Sequence, residues 1–187
     1  MKLVLFMCVL GSAFAALTFP SNSTKFDNVL DVSSALNGDV ATFWVRKNRK
    51  GFLGFGFGAN MNNGDIFLVQ VANNTLTFSN CKLVGEVAPT CSATGLWALV
   101  DSSFNTTDGT WAVQVQRNIK QLNGVTINTG ENTMIYDYSD SLTLDNGHST
   151  NATNAAVGTK VWNLTGNLLK FARIVGVASA AILAFVL

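Results

Sequence analysis

The chain contains few of the residues that bind metals or carry acid–base chemistry. It has one histidine, three cysteines and two prolines among 187 residues, and only 12% of its residues are charged. A zinc site needs three or four protein ligands, and the spacing of Cys81 and Cys91, with a single histidine elsewhere in the chain, does not match one. No Gly-x-Ser-x-Gly nucleophile elbow is present to pair with the histidine in a serine hydrolase. These absences argue against a zinc enzyme and against a serine hydrolase.

The chain also has little net charge. Its formal charge is +1 at pH 7, and a domain so close to neutral does not predict nucleic-acid binding. One basic run, residues 46–50 with the sequence RKNRK, follows the second predicted strand. We interpret it as a solvated hairpin tip that discourages edge-to-edge association, or alternatively as a docking patch for an acidic partner.

Both ends of the chain are apolar. Residues 1–15 combine Lys2, an apolar run and the small-x-small ending AFA, which is the pattern of a secretory signal peptide. Residues 166–187 form a C-terminal hydrophobic tail, interpreted as a GPI-attachment signal, with a tail anchor in the membrane as the alternative. We therefore expect a glycoprotein of the secretory pathway on the extracellular face of the plasma membrane, with one domain over residues 17–165.

Only two cysteines remain after removal of the signal peptide, because Cys8 lies within it. Cys81 and Cys91 then share an oxidising compartment, so we predict a disulfide between them. Asn-x-Ser/Thr sequons mark exposed surface wherever a glycan is attached. The predicted glycosylation sites are Asn22, Asn73, Asn105, Asn151 and Asn163.

Short alternating apolar runs separated by Asn, Gly, Asp and Ser fill the chain between its two ends. No amphipathic helix of useful length interrupts them, so the pattern predicts an all-β antiparallel sandwich or barrel. The predicted strands cover residues 25–32, 39–46, 51–58, 66–71, 75–78, 96–103, 110–117, 133–138 and 160–164.

One predicted strand, within the run GFLGFGFGANMNNGD at residues 51–65, has an unusual composition. With a period of two, Leu53, Phe55 and Phe57 lie on one face, and three glycines lie on the other. A bare strand face packs nothing, so it suggests that a large flat group lies close to the backbone. The alternative is a bulged or sharply twisted strand packed under another strand.

Outside the terminal segments, the candidate metal ligands are one histidine and two methionines. These are His148, Met61 and Met134. Two ligands suffice for an iron that a porphyrin already holds in plane, and histidine with methionine is an axial pair of electron-transfer haems. By themselves, however, a lone histidine in a turn and a methionine are also typical of solvated surface and core filling.

Several segments together resemble the DOMON domain family. Trp44, the run GFLGFGF at 51–57 and the turn MNNGDI at 61–66 resemble its tryptophan strand, its Gly-x-Gly strand and its methionine turn with the following Asp. Residues 111–117, WAVQVQR, resemble its strand ending in arginine. The segment from His148 to Val161 resembles its histidine loop. The resemblance spans most of residues 25–164, in order and with compatible spacing.

The resemblance implies an immunoglobulin-like β-sandwich of the DOMON type. It is closest in pattern to the haem-b subgroup, which is similar to the cytochrome domain of cellobiose dehydrogenase and to GPI-anchored plant auxin-responsive cytochromes. In that subgroup a methionine and a histidine ligate the iron, and the matching positions here are Met61 and His148. The implied cofactor is haem b, since the chain has no Cys-x-x-Cys-His for covalent attachment. Met134 is the rival to Met61 as the sixth ligand.

Further residues become candidates for contact with the haem. They are Trp44, Gly54, Gly56 and Phe57, which match the strands around the methionine turn, with Phe55 as a further support of the pocket. Arg117 either pairs with a haem propionate or only ends its strand.

The function implied by the resemblance is that of a cell-surface b-type cytochrome that transfers single electrons. Two axial protein ligands leave no open position on the iron for oxygen or substrate, so we expect an electron-transfer or binding domain and not an enzyme. The redox partner would be a separate protein, such as a membrane cytochrome or a secreted oxidoreductase, and the C-terminal tail would hold the domain at the membrane. The alternatives are a haem-free module that binds carbohydrate or another small ligand, and a structural surface glycoprotein.

Overall fold

A computed structural model describes residues 17–26, 28–60, 63–84, 89–122, 124–140 and 155–164. Within these ranges the chain forms eleven strands and no helix. The strands are β1 (Thr24–Phe26), β2 (Leu30–Asn37), β3 (Val40–Lys47), β4 (Gly51–Asn60), β5 (Asn63–Ala72), β6 (Thr75–Leu83), β7 (Thr90–Ser92), β8 (Ala98–Phe104), β9 (Trp111–Asn118), β10 (Glu131–Ser139) and β11 (Ala155–Asn163).

The strands form two antiparallel sheets packed face to face. The five-stranded sheet has the order β1-β2-β3-β9-β8, and the six-stranded sheet has the order β11-β10-β4-β5-β6-β7. The all-β sandwich expected from the alternating pattern is therefore confirmed. The glycine-rich strand β4 is central in the six-stranded sheet, between β10 and β5.

The core between the sheets is dominated by aromatic rings. Phe43 of β3 contacts Phe55 and Phe57 of β4 across the interface, with ring centroids 6.0 and 5.3 Å apart. Trp97, which precedes β8, packs against Phe43, Phe57 and Phe67. Such pairs add about 0.5–1.5 kcal/mol each beyond the burial of their area. The rings thereby hold the two sheets in one alignment.

Most of the predicted strands are present, but two details differ. Residues 25–32 are not one strand, because Asn28 has a positive φ of 56° and turns the chain between β1 and β2. The short strand β7 was not predicted. It pairs with β6 so that Cys81 lies opposite Cys91, and the two form the predicted disulfide.

The face assignment of β4 is confirmed, and the structure adds a reason for two of its glycines. Leu53, Phe55 and Phe57 are buried in the inter-sheet core. A β-carbon built on Gly56 would lie 2.0 Å from the carbonyl oxygen of Asp65, and one on Gly58 would lie 2.4 Å from that of Asn63. Glycine is required at these two positions because the backbone of β5 occupies the space of a side chain.

Among the described residues, no helix is long and apolar enough to cross a membrane. The predicted signal peptide and the C-terminal tail, residues 1–15 and 166–187, lie outside the described residues.

We predict that two alanine substitutions in β4 have different costs. Gly56→Ala drives a methyl group into the backbone of β5 and should lower the free energy of unfolding by about 3 kcal/mol. Gly54→Ala meets the Cδ1 atom of Ile66 at 3.3 Å and the carbonyl oxygen of Asp137 at an ordinary contact distance of 3.8 Å, and should change stability by about 1 kcal/mol or less. Urea unfolding of the two variants measures the difference, and equal losses would contradict the close-approach explanation.

Candidate functional site

A second apolar cluster lies on the outer face of the six-stranded sheet, away from the inter-sheet core. We call it the outer apolar cluster, and it consists of Phe52, Ile66, Leu68, Cys81, Leu83 and Ile135. The bare face of β4 runs through its middle. Gly54 pairs with Leu68 of β5, and Gly56 pairs with Ile66 on one side and Ile135 on the other.

The outer apolar cluster is buried, with 1–9% exposure for each member. An antiparallel sheet commonly has one solvated face, so apolar residues on both faces mark a sheet that is covered on both. The elements in the described part of the chain make only two layers, and none of them lies over this face. The outer apolar cluster is therefore a second buried apolar surface of the six-stranded sheet.

The sequence of β5 also indicates the outer apolar cluster, which the alternation of residues in β4 does not. Strand β5 reads Ile66-Phe67-Leu68-Val69, with apolar residues at consecutive positions rather than at alternate ones. Phe67 and Val69 face the inter-sheet core, and Ile66 and Leu68 face outward. A strand that is apolar on both faces is typical of burial on both sides.

One feature of the outer face is suited to a flat apolar ring, namely the glycine at position 54. A β-carbon on Gly54 would meet only a side-chain atom of Ile66 at 3.3 Å and the carbonyl oxygen of Asp137 at 3.8 Å. The missing side chain at Gly54 is thus not required by backbone crowding, in contrast to Gly56. Gly54 is thus a point on the outer face without a side chain, next to Ile66 and paired with Leu68.

The two predicted iron ligands, Met61 and His148, lie outside the described residues. Met61 follows the end of β4, and His148 belongs to the segment between β10 and β11. Met134, the rival to Met61, is 1% exposed and lies in the inter-sheet core. It pairs with Phe57 in the β10–β4 register, so its side chain is on the opposite side of the sheet from the outer apolar cluster.

The structure does not bring all of the predicted contact residues together. Gly54 and Gly56 are on the outer face of the six-stranded sheet, whereas Phe57 lies in the inter-sheet core. Trp44 is half-buried on β3 of the other sheet, and its neighbours Phe43 and Val45 fill the core. Trp44 is therefore on the outer face of the five-stranded sheet, on the far side of the sandwich from the two glycines.

Arg117, the arginine that ends β9, is buried between the sheets and faces Asp65 of β5. Its Nη1 atom is 3.8 Å from Oδ2 of Asp65, and the two side chains are 0% and 9% exposed. Nη2 donates to the carbonyl oxygen of Val125 at 2.6 Å, and Oδ2 of Asp65 accepts from the amide of Val125. Two parts of the motif pattern, the Asp near the start of β5 and the Arg near the end of β9, thus form one buried ion pair.

Trp97 contacts Arg117 at the same end of the sandwich as the Asp65–Arg117 pair. The sequence analysis did not identify it as a site residue. The guanidinium of Arg117 lies over its ring, 5.1 Å from the ring centroid. The side chain of Asn80 forms two hydrogen bonds with the backbone of Trp97, accepting from its amide at 2.7 Å and donating to its carbonyl at 3.1 Å. Burial lowers the pKa of Arg117, and the charge of Asp65 opposes that shift. The contacts of Arg117 that the structure describes are internal to the fold.

A second buried charge lies at the opposite end of the sandwich. The side chain of Lys47, the last residue of β3, is 0% exposed, and its Nζ atom is 2.8 Å from Oδ1 of Asp140, which follows β10. Burial lowers the pKa of Lys47 below its ordinary value, and the hydrogen bond and charge of Asp140 oppose this. Arg49 also pairs with Asp140, at 3.3 Å. Much of the basic run at residues 46–50 is therefore bound within the fold.

The sequons differ in accessibility. Asn73, Asn105 and Asn163 are exposed, as a glycan requires. Asn22 is different, because its Nδ2 atom is buried while its Oδ1 atom accepts from the hydroxyl of Ser33. A glycan at Asn22 would require the segment before β1 to leave its position. Asn151 lies outside the described residues.

Known proteins share this fold. The sequence itself matches no protein-family model and no curated protein. The cytochrome b domain of pyranose dehydrogenase from Coprinopsis cinerea has a similar structure, with a TM-score of 0.56 and 11% identity over 78% of this chain and 83% of that one. The cytochrome domain of cellobiose dehydrogenase from Myriococcum thermophilum aligns with a TM-score of 0.53 and 14% identity, over 74% and 77% of the two chains.

These similarities establish the fold at the level of architecture. Together with the two-sheet arrangement, they confirm the expected immunoglobulin-like β-sandwich, and the chain has the fold of these cytochrome domains. At 11–14% identity the comparison concerns the fold and not the ligands of any iron.

We predict that Arg117→Met lowers the free energy of unfolding by about 3–5 kcal/mol, because it leaves Asp65 buried without a counter-charge. Adding Asp65→Asn to that variant should recover part of the loss. Arg46→Met is the matched control, since Arg46 pairs with Asp31 but is 41% exposed, and it should cost about 1 kcal/mol or less. Denaturant midpoints measure all three, and a cost for Arg117→Met no larger than the control would contradict the assignment.

Proposed function

We propose that the protein is a b-type cytochrome that carries single electrons at the cell surface, with Met61 and His148 as the axial ligands. The observation that supports this most is the buried outer apolar cluster with the bare backbone of Gly54 at its centre. It is an apolar surface suited to a flat ring, and it belongs to a fold that cytochrome domains share. Methionine and histidine are the residue types that such a haem uses.

The strand topology limits how Met61 and His148 could ligate the same iron. Ser139 at the end of β10 lies opposite Phe52 at the start of β4, whereas Met61 follows the far end of β4. The distance along the strand is about 30 Å at about 3.3 Å per residue. The chain from Ser139 to His148 reaches about 30 Å when fully extended. In the proposal this segment returns toward the far end of β4 along the outer face, over the outer apolar cluster.

This condition agrees with the length of the connection. Ser139 and Ala155 are paired in the β10–β11 ladder, and a hairpin needs only two to five residues between its strands. Residues 140–154 are many more than a turn requires. A connection of this length is typical of a functional loop. In the proposal it supplies both the histidine ligand and the cover over the apolar face.

A bound haem would supply reversible one-electron chemistry, and a methionine ligand would favour its reduced form relative to stronger donors. The chain's own residues would hold the ring and exclude water. Ile66, Leu68 and Ile135 would form an apolar floor, and Gly54 would let the ring approach the sheet. A dry, apolar shell around an iron site controls its access to solvent and tunes its potential.

The proposal also covers the location of the domain, its redox partners and the role of Arg117. A signal peptide and a C-terminal GPI signal or tail anchor would place the domain on the extracellular face of the plasma membrane. The electron donor and acceptor would be separate proteins, such as a membrane cytochrome or a secreted oxidoreductase. Arg117 is less suited to a haem propionate, because its guanidinium is buried and already faces Asp65.

We predict that the mature domain, produced with adequate haem, shows sharp Soret and α bands on reduction. Met61→Ala and His148→Ala should each remove the six-coordinate low-spin spectrum. Met134→Leu is the matched control, because this methionine packs in the inter-sheet core, and it should leave the spectrum unchanged. A folded but colourless wild-type protein would overturn the proposal and favour the haem-free binding module.

We also predict that the outer face carries the haem. Gly54→Leu places a branched side chain at the centre of the outer apolar cluster and should weaken haem binding by about tenfold or more, a loss of about 1.4 kcal/mol. Gly130→Leu adds the same side chain where nothing lies within 4 Å, and should bind haem as the wild type does. Haem titration followed at the Soret band measures both, and equal affinities would contradict the location.

A further inference from the structure

An open cleft lies at one edge of the six-stranded sheet, on the face that also carries Phe67 of the inter-sheet core. Strands β5, β6 and β7 form one wall, and the residues that lead from β7 to β8 form the other. Its volume is about 190 Å³, which is enough for a small organic molecule in place of several waters. Its polar residues include Asp65, Lys82, Thr90 and Ser92.

Asp65 is the only carboxylate among the described residues that line this cleft. Its side chain is 9% exposed, and its contacts with the amide of Val125 and with Arg117 both use Oδ2. Within the described part of the chain, Oδ1 forms no hydrogen bond and no ion pair. A buried polar atom without a partner raises the free energy of the folded state. Oδ1 therefore requires a hydrogen-bond donor that the described residues do not provide.

Lys82 supplies a positive charge to the same cleft. It lies directly opposite Asp65 in the β5–β6 register, and the β-carbons of such a pair are about 5 Å apart. Opposite charges so placed attract each other, yet Asp65 faces Arg117 instead. Lys82 is exposed and forms no ion pair with the described residues. Its ammonium and Oδ1 of Asp65 are therefore both available to one ligand.

Both walls of the cleft are fixed by contacts within the fold. The disulfide between Cys81 and Cys91 joins β6 to β7, the two outermost strands of the first wall. On the second wall, the side chain of Asn80 holds the backbone of Trp97 through two hydrogen bonds. A β-carbon on Gly95 would lie 2.5 Å from Cβ of Asn80, so this segment packs directly on β6. The cleft is therefore formed by the fold itself and needs no ligand to create it.

The charges around the cleft select the ligand. Asp65 and Arg117 together are neutral, so Lys82 leaves one uncompensated positive charge. A ligand that fits has one negative charge for Lys82 and a neutral donor for Oδ1 of Asp65. A carboxylate and a hydroxyl meet these two requirements. Because Asp65 and Lys82 are directly opposite each other, the two groups also have to lie close together in the ligand.

We propose that this cleft is a binding site for a small 2-hydroxy acid. The hydroxyl of the ligand donates to Oδ1 of Asp65, and its carboxylate pairs with the ammonium of Lys82. The hydroxyls of Thr90 and Ser92, which line the cleft from β7, supply further hydrogen bonds to the carboxylate. The two charged residues that bind the ligand are not assigned to the haem, so the site is separate from the proposed function.

The test titrates the protein, in the form that cells produce, with three acids that share one carbon skeleton. L-Lactate carries the hydroxyl, propionate has a hydrogen in its place, and L-alanine has an ammonium. L-Lactate should bind with a Kd of about 1 mM or lower. Propionate should bind about tenfold more weakly, because Oδ1 of Asp65 is left without a donor. L-Alanine should also bind about tenfold more weakly, because its ammonium adds a positive charge beside Lys82 and Arg117.

Isothermal titration calorimetry measures the three affinities. The absence of saturable L-lactate binding, or equal affinities for L-lactate and propionate, would overturn the proposal. Binding of L-alanine as tight as that of L-lactate, or tighter, would overturn it as well, because the ligand would then be an amino acid.

A lysine substitution tests the position of the carboxylate. Lys82→Met should weaken L-lactate binding by about tenfold, and the variant should fold as the wild type does because Lys82 is exposed. Lys120→Met is the matched control, because Lys120 is 69% exposed, pairs with Asp39 at 2.9 Å and does not line the cleft. Equal L-lactate affinities of the two variants would contradict the role assigned to Lys82.

Amide hydrogen exchange locates the ligand independently. Saturating L-lactate should slow exchange in residues 90–97, which border the cleft, and leave residues 47–50 at the opposite end of the sandwich unchanged. Unchanged exchange in residues 90–97 would overturn the location. If the protein binds L-lactate but no haem, the proposed function fails and the hydroxy-acid site remains.

Discussion

The position of β4 is the constraint on which the rest of the structure depends. Its phenylalanines fill the inter-sheet core and contact Phe43 of the other sheet. Its glycines at 56 and 58 allow the backbone of β5 to approach more closely than any side chain would permit. One face of β4 therefore packs against the other sheet, and its other face allows the neighbouring strand β5 to lie close.

Two buried ion pairs add to this constraint at opposite ends of the sandwich. Asp65 and Arg117 join β5 to β9 at one end, and Lys47 and Asp140 join β3 to the end of β10 at the other. Both pairs connect the five-stranded sheet to the six-stranded sheet. Buried pairs contribute little net stability but strongly disfavour arrangements that separate the partners. The two pairs thus favour one alignment of the sheets, which the aromatic core alone would specify less sharply.

Much of the fold was predictable from local patterns. Alternation and turn residues located most strands within a few residues, and the faces of Leu53, Phe55 and Phe57 were assigned correctly. The turn at Asn28 was missed because a positive φ at a non-glycine residue has only a weak sequence signal. The candidate site was predicted less completely. Trp44 and Phe57 belong to strands of the family pattern but face away from the glycine surface. For Phe57 this follows from the alternation within β4, whereas the place of Trp44 depends on how the sheets stack.

The sequence by itself determined the architecture and the short list of residues able to hold an iron. Periodicity is a local property, so an all-β sandwich with a two-faced glycine strand follows from it, and one histidine with two methionines limits the ligand chemistry. Only the tertiary structure decided which of these residues share a surface. It placed Met134 in the core, joined Asp65 to Arg117 and buried Lys47 against Asp140. These are contacts between residues far apart in the chain, and they depend on sheet order and packing, which no local pattern encodes.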